Sequence, residues 1–173
     1  MRRIPYVSVV LALFGAFVIA GWVATPAQAQ QTKKLKASAI QVFEVECDEV
    51  KLPPAFEMAL YENLIDQVRK TGKFERIYRD GERGAADEAN LVTLHSKVLG
   101  FKEGSERLRQ VTTVAGATSI KVHVRIADRS GQSLVDRDVT GKVVFFGENL
   151  RATHNLAKSV AKIVRQNFQK EGG

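Results

Sequence analysis

The strict alternation over residues 120–126 restricts the fold more than any other feature of this sequence. Apolar residues occupy every second position, and charged or polar residues lie between them. A period of two predicts a β-strand in a sheet that buries one face and exposes the other to water. The buried set is Ile120, Val122, Val124 and Ile126, and the exposed set is Lys121, His123 and Arg125.

Three further segments carry the same kind of pattern and predict neighbouring strands. A turn at residues 128–131, which ends in glycine, leads into a return strand and so predicts a hairpin. Residues 36–46 predict a first strand, in which Phe43 faces away from Ile40 and Val42. Before the hairpin, Val92, Leu94, Ser96 and Val98 share one face, opposite Thr93, His95 and Lys97. The apolar residues on its return are Val135, Val139, Val143 and Phe145.

Two segments place apolar residues at helical spacing. The first helix is expected to begin at Pro53 and Pro54, because proline is tolerated in a first helical turn, and to end at Gly72. We expect Asn149 to cap the second helix. Such stripes usually pack on a sheet rather than on a partner. They are Phe56, Leu60, Leu64, Ile65 and Val68 in the first helix and Leu150, Leu156, Val160, Ile163, Val164 and Phe168 in the second.

This order of elements predicts an α+β fold. We expect a single antiparallel or mixed β-sheet of about four strands packed against two amphipathic helices, in the order β-α-β-β-β-α, as one domain over residues 37–170. We expect residues 74–77, which Phe74 and Ile77 bracket, to form a further strand or a turn of one. Residues 80–90 have almost no hydrophobic content and contain two glycines, so they predict a mobile surface loop. Residues 103–106 predict a hairpin tip that returns over residues 111–114.

The N-terminal segment has the pattern of a cleavable signal peptide over residues 1–29. Arg2 and Arg3 precede an apolar run at residues 4–23, and the small residues Ala27 and Ala29 favour a cut before Gln30. An uncleaved membrane anchor is the alternative. Cleavage predicts a periplasmic or secreted protein with no stable membrane anchor and a flexible mature terminus at residues 30–36.

Charge and cysteine content restrict the partners further. The formal net charge of +7 falls to +5 on cleavage, because both signal-peptide arginines leave. Such a basic surface can make weak contacts with anionic envelope polymers or lipid headgroups. Nucleic acid is not expected, since the basic clusters lack the interleaved aromatic residues on which bases stack. Cys47 is the only cysteine, so the chain cannot form an intramolecular disulfide. It lies well after the cleavage point, so it cannot be lipidated there. We expect it to be a buried core thiol.

The familiar catalytic templates are missing from the sequence. It has no nucleophile elbow, no zinc-protease helix, no phosphate-binding loop and no paired cysteines, so we expect no catalytic residues and no cofactor. One alternative is a metal site, in which His95 and His123 approach each other on neighbouring strands beside Asp136. Two exposed sheet histidines explain the same pattern, and this interpretation is favoured.

Residues 104–109 are the most distinctive short segment. Gly104 and Ser105 precede Arg107 and Arg109, two arginines spaced by one residue. Because a guanidinium group matches the geometry of carboxylate and phosphate, Arg107 and Arg109 are candidate anion-binding residues. A solvent-exposed hairpin tip is the simpler interpretation.

The order of these features resembles the bacterial envelope family called domain of unknown function 4410. The resemblance is carried by the strand opening at residues 89–92, Phe101, Gly104 with Ser105, the arginines that follow, and the strand at 120–126 that runs into the turn at 128–131. It covers residues 37–168. The chain departs from many members in lacking a lipidated cysteine and in having one glycine, Gly116, in residues 112–118. The resemblance implies an exported α+β domain and brings no catalytic residues with it.

The sequence therefore favours a non-catalytic periplasmic binding or assembly module that contacts another envelope protein. The alternative is a module that binds an anionic small molecule or envelope polymer through Arg107, Arg109 and neighbouring lysines. An enzyme with an unfamiliar site is the third interpretation.

Overall fold

The computed structural model describes residues 34–105, 107–108, 116–143 and 148–170. They form a mixed sheet, two helices and a small pair of strands. The predicted α+β class is confirmed. The elements are β1 (Leu35–Lys36), β2 (Ala39–Glu46), α1 (Pro54–Arg69), β3 (Arg76–Arg79), a 3-10 helix (Arg83–Asp87), β4 (Leu91–Lys102), β5 (Thr118–Asp128), β6 (Ser133–Val143), α2 (Arg151–Asn167) and β7 (Phe168–Gln169).

Among the described residues, the main sheet has five strands in the order β3-β2-β4-β5-β6. Strand β2 runs parallel to both of its neighbours, and β4, β5 and β6 form an antiparallel meander. The sheet exceeds the expected four strands because the short segment after Phe74 forms the edge strand β3. A separate parallel pair joins β1 to β7, near the two ends of the described chain.

Helix α1 begins where the two prolines predict, with Pro54 in its first turn. Gly72 follows the helix with φ of 63°, a left-handed conformation that residues with a β-carbon rarely adopt. The predicted stripe is buried, since Phe56, Leu60 and Leu64 are at most 5% exposed. The first predicted helix is therefore confirmed in its position and in the face that it buries.

The core lies between the helices and the inner face of the sheet. Four alternating residues of β5 are fully buried there, as the sequence predicts, and α2 contributes a matching apolar stripe. The buried set includes Ile120, Val122, Val124 and Ile126 of β5 and Leu156, Val160, Val164 and Phe168 in and after α2. Leu150, expected in the same stripe, is half-buried against this core.

The expectation that Asn149 caps the second helix is wrong. Helix α2 starts after Leu150, and no side chain among the described residues caps its first turn. The Asn149 side chain instead accepts a hydrogen bond from the Thr118 hydroxyl at 2.7 Å and donates one to the Gly104 carbonyl at 3.2 Å. Its polar groups therefore hold the start of β5 and the end of β4, not the helix terminus.

Two other local expectations need adjustment. The segment 80–90 lies on the surface as expected, but it contains the 3-10 helix and buries Ala85. Arg129 also donates hydrogen bonds to the carbonyls of Ala86 and Glu88, at 2.6 and 2.7 Å. Cys47 is half-buried rather than buried, because it follows β2 at the rim of the core. The return strand at 111–114 and Phe145 lie outside the described residues.

Candidate interaction surface

The face of the sheet opposite the helices forms an open face of alternating side chains. These residues are neighbours because the period of a strand sends every second side chain to the same side. Their exposure is substantial, for example 37% for the His123 side chain and 55% for Asp136. The open face is defined by Phe43 of β2, His95 and Lys97 of β4, Lys121, His123 and Arg125 of β5, and Asp136, Asp138 and Thr140 of β6.

An aromatic pair lies on two adjacent strands of this face. The rings of Phe43 and His95 stack with their centroids 4.2 Å apart and their planes inclined by 18°. Both side chains are half-buried. The pair is therefore a preformed, flat and partly apolar patch on an otherwise polar face.

His123 lies between two carboxylates of the neighbouring strand. Its Nδ1 is 3.0 Å from Asp138 Oδ1, and its Nε2 is 3.2 Å from Asp136 Oδ1. Lys121 also reaches Asp138, with Nζ 2.7 Å from Oδ2. The hydrogen bonds from Lys121 and then His123 hold the pKa of Asp138 below its ordinary value, so this carboxylate stays charged over a wider range of pH.

The other cations of the open face are also engaged. Lys97 Nζ lies 2.9 Å from Glu49 Oε1. This hydrogen-bonded ion pair raises the pKa of Lys97 and lowers that of Glu49. Arg125 donates to the carbonyl of Gly131 at 2.6 Å. Because Lys97, Lys121 and Arg125 all have partners, this face offers paired charges of both signs rather than a cluster of unpaired cations for an anion.

The predicted approach of the two histidines is found only in part. His95 and His123 border one shallow depression of about 210 Å³, together with Lys97, Arg125 and Glu46. His123 contacts Asp136, whereas His95 stacks on Phe43. Within the described ranges, no group of three or more His, Cys, Asp or Glu side chains is arranged to hold a metal ion.

The candidate anion-binding segment can be followed only in part. Arg107 is exposed, and Arg109 lies outside the described residues. The Gly104 amide donates to the Thr118 hydroxyl at 3.0 Å, and the Leu108 amide donates to the Ser105 hydroxyl at 3.4 Å. The glycine and serine of this segment therefore have internal contacts, and anion binding by the arginines stays a prediction.

The predicted signal-peptidase residues Ala27, Ala29 and Gln30 also lie outside the described residues. Cleavage stays a prediction for that reason. In the part of the chain that the structure describes, neither helix is long and apolar enough to cross a membrane.

Sequence reasoning did not identify Phe43, Glu49 or Asp138 as parts of a surface. The alternation of residues 36–46 did place Phe43 away from the buried Ile40 and Val42. The patch could have been predicted from Phe43, because a large aromatic side chain on the water-facing side of a strand often marks an interaction site. The pairing of Glu49 with Lys97 has no comparable signal, because 48 residues separate the two.

The mixed five-stranded sheet, with two helices on one face and a polar open face on the other, defines an α+β domain with no recognisable catalytic centre among its described residues. A family model described as domain of unknown function 4410 matches residues 22–147. The chain belongs to this family. Comparison with curated proteins gives no significant match.

Solved structures of similar fold are distant in sequence. The PelC dodecamer from Paraburkholderia phytofirmans aligns with a TM-score of 0.58 at 14% identity, covering 81% of this chain and 94% of that one. The hypothetical protein CT253 from Chlamydia trachomatis aligns with a TM-score of 0.50 at 12% identity, covering 75% of this chain and 97% of that one. At such identities the likeness shows the fold alone.

Proposed function

We propose that this protein is a non-catalytic module of the bacterial envelope, exported to the periplasm, that assembles with a protein partner through its open face. The observation that carries the proposal is the stacked pair of Phe43 and His95, which stays half-exposed among charged residues that already have partners. Aromatic residues are enriched at the centres of protein–protein interfaces and polar residues at their rims, and this patch has the same arrangement.

The energetic argument concerns preorganisation. A stacked aromatic pair has few rotamers left to lose, so a partner that covers it gains apolar contact at a small entropic cost. The ion pairs around His123 and Lys97 give the face a pattern of both charge signs. A partner with complementary charges is thereby favoured, and a mismatched one is rejected.

The described titratable groups give no support to an enzyme. The carboxylates and cations with shifted pKa values lie mostly in exposed ion pairs, such as Lys97 with Glu49 and Lys121 with Asp138. Catalytic groups are more often collected in a concave and partly apolar cavity. The depression beside His95 and His123 is small and solvent-exposed, which fits surface recognition better.

The fold relatives add an analogy. The PelC structure from Paraburkholderia phytofirmans is described as a dodecamer, so a chain of similar fold does assemble in multiple copies. We infer that protein–protein assembly, with further copies or with another envelope protein, is also the role of this chain. The analogy supports the role and does not determine the partner.

Site-specific photo-cross-linking in intact cells tests the proposal. A benzoylphenylalanine residue at position 140 places the reactive group on the open face, because Thr140 is an exposed residue of β6. The matched control carries it at position 162, where Lys162 lies on the exposed side of α2. We expect a discrete protein adduct from position 140 only. Adducts from position 162 alone, or from neither position, would contradict the proposal.

A further inference from the structure

A groove at the end of the edge strand β3 has the features of a site for an added strand. It has a volume of about 290 Å³ and lies between the last residues of β2 and the outer side of α1. No residue of the open face lines it. Its lining consists of Glu44, Val45, Pro54, Glu57, Met58 and Tyr61.

The groove begins where β3 stops accompanying β2. Strand β3 pairs with β2 only from Ala39 to Val42, and a turn at Gly81 then leads the chain away. Among the described residues, no strand continues beside Val45 and Glu46 on that side. An unpaired strand edge of this kind is a template for an additional strand.

Tyr61 marks the boundary between the paired and the open parts of this edge. Its hydroxyl donates to the Val42 carbonyl at 3.3 Å and accepts from the Asp80 amide at 3.0 Å. The Asp80 carboxylate in turn accepts from the Glu44 amide at 3.3 Å. The polar groups at the end of β3 are thus satisfied within the chain, and the edge becomes available only after Glu44.

The groove combines an apolar surface with uncompensated negative charge. Met58 is 70% exposed, more than any other large hydrophobic residue that the structure describes. Glu44 and Glu57 are both exposed, and neither forms an ion pair with a described residue. By contrast, the cations Lys97, Lys121 and Arg125 of the open face all have partners.

We propose that this groove binds an extended, basic segment of a partner protein, which adds a strand to the free edge of β2 in line with β3. An apolar side chain of that segment packs on Met58, and a Lys or Arg side chain lies between Glu44 and Glu57. Main-chain hydrogen bonds supply the attachment and the two carboxylates select the charge. The site is separate from the open face, so it stands or fails independently of the function proposed above.

Peptide titration followed by amide chemical shifts tests this inference. The probe is the capped pentapeptide Val-Lys-Val-Lys-Val, compared with Val-Glu-Val-Glu-Val and with a version in which proline replaces the central valine. We expect the lysine peptide to shift the amides of residues 44–46 and 55–61. We expect the glutamate peptide to cause no such shifts, and the proline peptide to bind much more weakly because proline cannot donate to a strand ladder.

Substitutions then assign the charge selection. The double variant Glu44→Gln with Glu57→Gln should weaken lysine-peptide binding by about fivefold, because two surface charge contacts are removed. Glu75→Gln is the matched control, since Glu75 is exposed and precedes the opposite end of β3. All three positions are on the surface, so the variant spectra should otherwise overlay that of the parent. Equal binding of the lysine and glutamate peptides, or shifts confined to the open face, would overturn the inference.

Discussion

Gly141 of β6 lies so close to α2 that a β-carbon built on it would stand 2.1 Å from the carbonyl oxygen of Ala152. The same β-carbon would stand 2.6 Å from the Cβ of Leu156. The backbones of strand and helix are therefore in direct contact at this position, and only glycine leaves room for it. This contact brings the apolar stripe of α2 onto the inner face of the sheet.

Gly141→Ala should consequently destabilise the domain by about 2–4 kcal/mol, since the helix must move away from the sheet. Urea denaturation followed by circular dichroism measures the loss. The control is Gly100→Ala in β4, where the nearest atom to the added carbon is Lys121 Cβ at an ordinary 4.0 Å. If the Gly141→Ala variant were as stable as the parent, the close contact between α2 and β6 at this position would be contradicted.

We expect the side chain of Asn149 to contribute more to the free energy of unfolding than a helix cap alone would. Its side chain accepts from the Thr118 hydroxyl at 2.7 Å and donates to the Gly104 carbonyl at 3.2 Å. Asn149→Ala should cost about 1–3 kcal/mol, because partly buried groups lose their partners. A double-mutant cycle with Thr118→Val should give a coupling energy of about 1 kcal/mol. Additive effects of the two substitutions would contradict the direct hydrogen bond.

Stability should decrease as the pH falls through the ordinary range of histidine titration, partly because of His154. Burial, followed by repulsion from Lys158 and Lys70, lowers the pKa of this imidazole from its usual value of 6.5. The folded state thus binds fewer protons than the unfolded state in that range, and acid favours unfolding. His154→Gln removes the titration, so its unfolding free energy should change less between about pH 7.5 and about pH 5. Identical pH dependence in parent and variant would exclude this role for His154.

Cys47 should react slowly with thiol reagents at neutral pH. Burial and then the charge of Glu57 raise the pKa of its thiol, and only the thiolate is nucleophilic. Glu57→Gln should therefore increase the labelling rate at about pH 8, whereas Glu62→Gln, on the same helix, should leave it unchanged. A rate that responds equally to both substitutions would point to a general opening of α1 instead.

The parts of the fold that the sequence predicts are those determined by local periodicity. The buried and exposed sets of β5 and the stripe of α1 follow directly from spacings of two and of three to four residues. Asn149 shows why a local rule can fail. Its residue type suits a helix cap, yet Thr118, 31 residues away, provides a partner that no local pattern reveals.

The candidate surfaces depend on contacts that are even less visible in the sequence. The stack of Phe43 on His95 requires β2 and β4 to be neighbours, although α1, β3 and the 3-10 helix separate them along the chain. The groove beside Tyr61 exists because β3 ends before β2 does. Strand order and strand length are set by tertiary packing, so a single sequence predicts the faces of strands better than their neighbours.

The most direct test of the proposed assembly is the mass of the native complex. Protein affinity-purified from cells is measured by native mass spectrometry, with the Phe43→Ala variant beside the parent and circular dichroism to confirm that both are folded. The parent is expected in a species well above the mass of one chain, which is 19.1 kDa before cleavage and less after it, and the variant is expected as a single chain. A parent found only as a single chain, or a variant that retains the full assembly, would contradict the proposal that the open face is the site of protein contact.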